Sequence, residues 1–185
     1  MVICPDKYNE YLERVKQNGY ALQHVPKEYQ TEELVKIAIH EYGCALDDVP
    51  KEYLTEELCK IAVTQTGYAL EYVPYEYRTK ELCKIAIQQN GCALKDVPKE
   101  YRTEELCKIA VTENGWALAY VPKKYITEEL CKIAVTKTGF ALDDVPEEYR
   151  TEELIFMAQQ TRLWHDDIPT VLATRIFNIY ETMGE

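Results

Sequence analysis

One interval governs this chain. Glycine recurs at Gly19, Gly43, Gly67, Gly91, Gly115 and Gly139, proline at Pro26, Pro50, Pro74, Pro98, Pro122 and Pro146, and tyrosine at Tyr29, Tyr53, Tyr77, Tyr101, Tyr125 and Tyr149, so three columns share one spacing of 24 residues. Coincident columns of this length mark stacked supersecondary units, each burying its apolar face only against its neighbours. The expected fold is all-α: a solenoid-like array of 24-residue repeats, each one longer helix plus one short helix, with helical caps at both ends. A single domain is expected over 1–185, with an N-terminal cap at 1–18, core repeats at 19–150 and a C-terminal cap at 151–185.

The unit running from Thr55 to Gly67 shows what each position is for. Thr55 suits an N-cap, and Glu56 and Glu57 put negative charge where the helix dipole favours it. Gly67 is expected to close the helix in the left-handed conformation. At about 100° per residue, Leu58, Cys59, Ile61, Ala62 and Val63 cover roughly 200° of the helix, the arc of an element with neighbours on several sides. The lysine column, Lys36, Lys60, Lys84, Lys108 and Lys132, is expected to pair with first-turn glutamates of its own helix. The rest of the unit, through Val73 and Pro74, is too short for a second long helix. One or two turns over Ala69 to Tyr72 are expected, then a kink, then a turn from Pro74 that brings Tyr77 to the core.

A second pattern lies on this one. The residue after each glycine runs Tyr20, Cys44, Tyr68, Cys92, Trp116, Phe140, and four residues further the sequence runs His24, Asp48, Tyr72, Asp96, Tyr120, Asp144. Large and small side chains alternate through the first five units, a period of 48 residues, as close packing between neighbours requires. At the N-terminal end Tyr8, Tyr11, Leu12 and Val15 make a narrower stripe, suited to a cap with one buried face. At the other end a closing helix is expected from about Pro169 to Met183, and Asp167 would cap it.

The segments Asn18-Gly-Tyr-Ala-Leu22, Asn90-Gly-Cys-Ala-Leu94 and Asn114-Gly-Trp-Ala-Leu118 carry an Asn-Gly-x-Ala-Leu core, approached by Thr66-Gly-Tyr-Ala-Leu70 and Thr138-Gly-Phe-Ala-Leu142. This core resembles the short helical repeat of an uncharacterised family, a domain of unknown function found in amoeba-associated bacteria and protists. The likeness spans residues 15 to about 158, and the Val-Pro-x-x-Tyr-x-Thr stretch departs from that family's aspartate-bearing link. The resemblance implies no catalytic residues, and it implies as source a bacterium or a host-interacting microbe.

Chemistry is sparse. The histidines His24, His40 and His165 fall in separate units and the chain contains no serine, so no nucleophile and base share a spacing. Each glycine stands alone, without a phosphate-cradling loop. His165-Asp166-Asp167 is a weak metal pattern. No catalytic, cofactor-binding or metal-binding residue is assigned, no cofactor is expected, and the chain is expected not to be an enzyme. The column Cys59, Cys83, Cys107 and Cys131 is expected to be buried and reduced, since stacked helices sit about 8–10 Å apart, beyond disulfide geometry. The formal net charge of −11 disfavours nucleic acid and anionic membranes, and no apolar run reaches the length of a spanning helix. The opening Met1-Val-Ile-Cys-Pro-Asp6 lacks a secretory signal pattern, which makes the expected location cytoplasmic, with specialised secretion into a host as a further route.

The expected function is a protein–protein interaction module, monomeric, whose partner is a protein with a partly basic surface. The expected contact face holds Asp47, Asp48, Asp96, Asp143 and Asp144, interrupted by Tyr72 and Tyr120, in a part of the unit without a matching basic column. The alternatives are a structural or self-associating array, and a hydrolase or transferase with an unrecognised site.

Overall fold

The computed structural model describes residues 4–165, and the expected closing helix, together with Asp166 and Asp167, lies outside them. The described chain is helical throughout. Seven α-helices, α1 (Pro5–Gln17), α2 (Glu32–Glu41), α3 (Glu56–Gln65), α4 (Lys80–Gln89), α5 (Glu104–Glu113), α6 (Glu128–Lys137) and α7 (Glu152–His165), alternate with pairs of 3₁₀ helices. The pair between α3 and α4, Gly67–Tyr72 and Tyr75–Tyr77, is representative.

Local chemistry explains each boundary. The hydroxyls of Thr31, Thr55, Thr79, Thr103, Thr127 and Thr151 each accept from the leucine N–H three residues on, at 3.2–3.3 Å, satisfying a donor that the first turn leaves free. Each core α-helix ends when the next residue turns extended: Thr66 has φ −151° and Asn90 φ −149°, while the N–H of each still bonds the alanine carbonyl four residues back. A six-residue 3₁₀ helix then starts at the glycine. Where asparagine precedes the glycine, at Asn18, Asn90 and Asn114, its side chain caps this helix through the N–H of Tyr20, Cys92 or Trp116, which gives the Asn-Gly pairs their role. Val73 is extended ahead of Pro74, and Tyr77 N–H bonds the Pro74 carbonyl at 2.9 Å to form the last short turn.

Successive α-helices pack side by side in one layer, and the six-residue 3₁₀ helices pack on one another and on the flanking α-helices in a second. Between the layers runs one continuous core. The units of α3 to α6 each supply leucine, cysteine, alanine and valine or isoleucine from the α-helix, for example Leu58, Cys59, Ala62 and Val63, with Val35 in the cysteine position of α2, and Ala69, Leu70 and Val73 illustrate the other layer. Ile61 and Tyr77 are half-buried against it, as expected. In α1 Val15 is fully buried with Tyr8, Tyr11 and Leu12 packed beside it, so the first helix caps the array through one face. Cys59, Cys83, Cys107 and Cys131 are free thiols with no exposed surface, and burial pushes each up to about 11.

Two expectations are corrected. None of the six repeat glycines has a left-handed φ. Glycine is required because its Cα lies against the main chain of the next unit: a Cβ on Gly67 would collide with the Ala86 carbonyl oxygen, and one on Gly91 with that of Ala110. The lysine column is also less uniform than expected. Lys36 and Lys132 bond Glu32 and Glu128 within their helices at 2.6 and 3.0 Å, whereas Lys108 reaches Glu129 of the next helix at 3.1 Å. Lys84 has Lys80, not a glutamate, four residues before it.

Candidate interaction face

In a 3₁₀ helix side chains three residues apart eclipse one another. The residue after each glycine and the residue three further on therefore share one edge of the second layer, giving the pairs Tyr20/Gln23, Cys44/Asp47, Tyr68/Glu71, Cys92/Lys95, Trp116/Ala119 and Phe140/Asp143. Glycine, alanine and leucine of these helices face inward, so this edge is left to solvent. Tyr20 is 52% exposed, Tyr68 57% and Trp116 45%, while Cys44, Cys92 and Phe140 are half-buried between their larger neighbours.

The rings contact one another along the array. Tyr20 meets Tyr42 edge-on at 5.9 Å between centroids, and Trp116 stacks on Phe140 at 5.8 Å with planes 8° apart. On Phe140 lies the guanidinium of Arg162, 5.0 Å from the ring centroid. The Nε of Arg162 donates to the Gly139 carbonyl and Nη2 to Asp143 Oδ1, both at 3.0 Å. Tyr68 has no ring or cation contact among the described residues.

The expected acidic row divides in two. Asp47 and Asp143 are exposed, but Asp48, Asp96 and Asp144 are half-buried, and burial raises all three carboxyls above their ordinary value. Glu71, the residue before Tyr72, joins Asp47 at the surface. Tyr72 is half-buried beside them, and burial, then Glu71 and Asp47, raise its hydroxyl above the usual value. Lys95 bonds Glu71 at 2.9 Å from the next unit. Tyr120 is exposed, as expected.

A basic column does lie in this layer, contrary to expectation. Arg78 donates through Nε to the Val73 carbonyl at 2.8 Å, through Nη2 to the Glu71 main-chain carbonyl at 3.0 Å and through Nη1 to the Asp96 carbonyl of the next unit at 2.6 Å. Arg102 repeats this on Val97, Lys95 and Tyr120 at 2.9, 2.9 and 3.1 Å. Arg150 likewise bonds the carbonyls of Val145 and Asp143. These guanidiniums satisfy the carbonyls that end each 3₁₀ helix, and Arg78 and Arg102 tie that end to its neighbour. Gln30 does the same on Leu22 and Val25, while Leu54 and Ile126 stand at the position in the remaining units. The pattern escaped sequence reading because four residue types share the column.

The three histidines stay apart: His24 ends one 3₁₀ helix, His40 lies beside Glu41 in α2 and His165 closes α7. Among the described residues no three His, Cys, Asp or Glu side chains gather as metal ligands, and no helix is long and apolar enough to cross a membrane. An open groove between the first turns of α4 and α5 presents Lys80, Lys84 and Lys108 together with Glu81, Glu104 and Glu105, so its charges balance.

Two packed layers repeated along one axis make this a helical-repeat protein. Residues 11–54 and 55–102 each match the model of a family described as Domain of unknown function (DUF4116), in tandem. Each match spans about two of the 24-residue units, the same length as the large-and-small alternation along the exposed edge. No curated protein and no solved structure matches the chain.

Proposed function

We propose that the chain is a protein–protein interaction module that binds through the exposed edge of its 3₁₀ layer, and that its partner offers a basic surface. The observation that carries this reading is the row of solvent-exposed edge rings at Tyr20, Tyr68 and Trp116, with Tyr120 exposed one position past the edge, beside the carboxylates Asp47, Glu71 and Asp143. Large rings held on a rigid backbone are what interface centres use, because they bury much area at little entropic cost. The outward α-helical face differs: it carries repeated lysines and glutamates, several already paired. A stack of stiff units also holds its contact points at fixed separations, and carboxylates at the rim chiefly speed encounter with a basic partner. The reading extends to a microbial protein acting on a host cell.

Two surface variants test it. Tyr68→Ala with Trp116→Ala removes rings, and Asp47→Asn with Glu71→Gln removes charge, while the buried core is untouched. Proteins captured from lysates of the parent organism and of candidate hosts are compared for wild type and both variants by mass spectrometry. Loss of the same captured protein in the ring variant, and slower association at low salt in the charge variant, is the expected outcome. Partners that both folded variants retain at wild-type kinetics would place the interface elsewhere.

A further inference from the structure

Resting on the interaction reading above, we infer that the edge at Tyr68 is a receptor for an arginine side chain of the partner protein, held between the Tyr68 ring, the Glu71 carboxylate and the Gly67 carbonyl. The chain holds a filled copy of this arrangement. Three units further on, Phe140, Asp143 and the Gly139 carbonyl occupy the matching positions, and Arg162 fills them: its guanidinium covers the ring at 5.0 Å and donates to both oxygens at 3.0 Å. Of the six edge pairs, Tyr68/Glu71 and Phe140/Asp143 alone combine a ring with a carboxylate.

The position equivalent to Arg162 in the Tyr68 unit is Asn90, whose short side chain turns to cap Cys92 N–H and leaves the ring bare. The other rings of the column each meet a ring or guanidinium further along the array, Tyr20 that of Tyr42, Trp116 that of Phe140 and Phe140 that of Arg162. Beyond Tyr68 the next edge residue is Cys92, too small to cover it, and Tyr68 is accordingly the most exposed ring of the four. Charge favours a cation here. Glu71 is shared with Lys95, but exposed Asp47 of the preceding unit has no ion pair among the described residues. A guanidinium suits the place better than an ammonium because it is planar, stacks on a ring and can donate to two oxygens at once.

The test compares two labelled glycine-serine peptides, one with three arginines and one with three lysines in the same places, by fluorescence anisotropy with the full chain. Equal charge cancels the general attraction to an acidic protein, so the arginine-to-lysine ratio reads the ring. The arginine peptide is expected to bind about threefold to tenfold more tightly. Tyr68→Ala should bring the ratio to about one, and so should Asn90→Arg, which places a guanidinium on the ring from within the chain. Tyr68 lies outside the core, so its variant keeps the fold; circular dichroism verifies both. Equal binding of the two peptides to wild type, or a preference that survives Tyr68→Ala, overturns the inference. A partner captured through the ring row whose affinity is indifferent to Tyr68 also overturns it, and leaves the wider interaction reading standing.

Discussion

Replacing Gly91 by alanine isolates the contact that sets the distance between units. A Cβ at this position would land on the Ala110 carbonyl oxygen and lie 3.0 Å from both the Ala110 carbonyl carbon and the Asn114 nitrogen. All three are main-chain atoms, and the oxygen and the nitrogen are the acceptor and donor of the 2.9 Å hydrogen bond that closes α5. No rotamer change relieves the overlap, so the two units must part or the end of α5 must open. Overpacking against deformable side chains costs about 1–3 kcal/mol, and an immovable backbone puts this site at the upper end. Loss of glycine's freedom in the unfolded chain returns about 0.4–1 kcal/mol. The net expected cost is about 2 kcal/mol, which at a urea dependence of about 2 kcal/mol per molar lowers the unfolding midpoint by roughly 1 M. Gly91→Asn separates this cause from backbone conformation, because asparagine tolerates left-handed φ better than alanine. Steric overlap makes Asn at least as damaging as Ala. A midpoint unchanged by alanine, or clearly restored by asparagine, would refute the reasoning.

The buried thiols make the array sensitive to base. With Cys59, Cys83, Cys107 and Cys131 pushed up to about 11, the unfolded chain ionises first. The folded state then holds more protons between pH about 9 and 11, and stability falls across that window by up to about 1.4 kcal/mol per pH unit for each thiol. Thermal melts should show this slope, and Cys59→Ala with Cys107→Ala should flatten it. Asp96 has the same sign at lower pH: its raised carboxyl favours the fold below the unfolded value near 3.9 and loses that contribution as pH rises through the folded value. Asp96→Asn should therefore raise the melting temperature at pH 7 and not at pH 3, and the opposite pH trend would show that its charged form is the favoured one. Arg102→Ala should cost about 2 kcal/mol by leaving three carbonyls without their charged donor. Arg102→Leu, copying Leu54, should cost less, and equal denaturation midpoints for all three chains would deny the clamp any role.

What the sequence disclosed was whatever one unit could express by itself. Thr55, Glu56 and Leu58 announce a capped helix through contacts within four residues, and the arc of Leu58, Cys59, Ala62 and Val63 reports burial whoever the neighbours are. Gly67 announced itself as indispensable but not why, since the atom that excludes a side chain belongs to Ala86 in the next unit. The aspartates failed similarly. Asp47 and Asp48 look equivalent in the chain, but three residues per turn puts Asp47 on the edge with Cys44 and turns Asp48 toward the neighbouring unit. Arg78 and Arg102 bond main-chain carbonyls, acceptors that every residue offers, so no spacing could betray them. The ring row was visible as a column after the glycines, whereas the pairing of Tyr68 with Glu71 needed the 3₁₀ geometry.

The same geometry separates what holds the array together from what it displays. Within each six-residue 3₁₀ helix the inward positions are glycine, alanine and leucine, and these recur in every unit from Gly19-x-Ala-Leu22 to Gly139-x-Ala-Leu142. The second and fifth positions reach the edge, and there the chain places tyrosine, cysteine, tryptophan or phenylalanine with glutamine, aspartate, glutamate, lysine or alanine. Edge residues can vary because they contribute little to the core, while the glycine contact keeps the units from shifting to accommodate a ligand. If the chain binds as proposed, a partner would have to match a fixed spacing, and its selectivity would reside in the order of edge side chains. Large rings recur in every second unit from Tyr20 through Tyr68 to Trp116, and the family matches cover about two units each. On the proposed reading the recognition element would be a pair of units, and Tyr68 with the small Cys92 beside it is the pair whose ring meets no other ring among the described residues, whereas Trp116 is followed by the stacked Phe140.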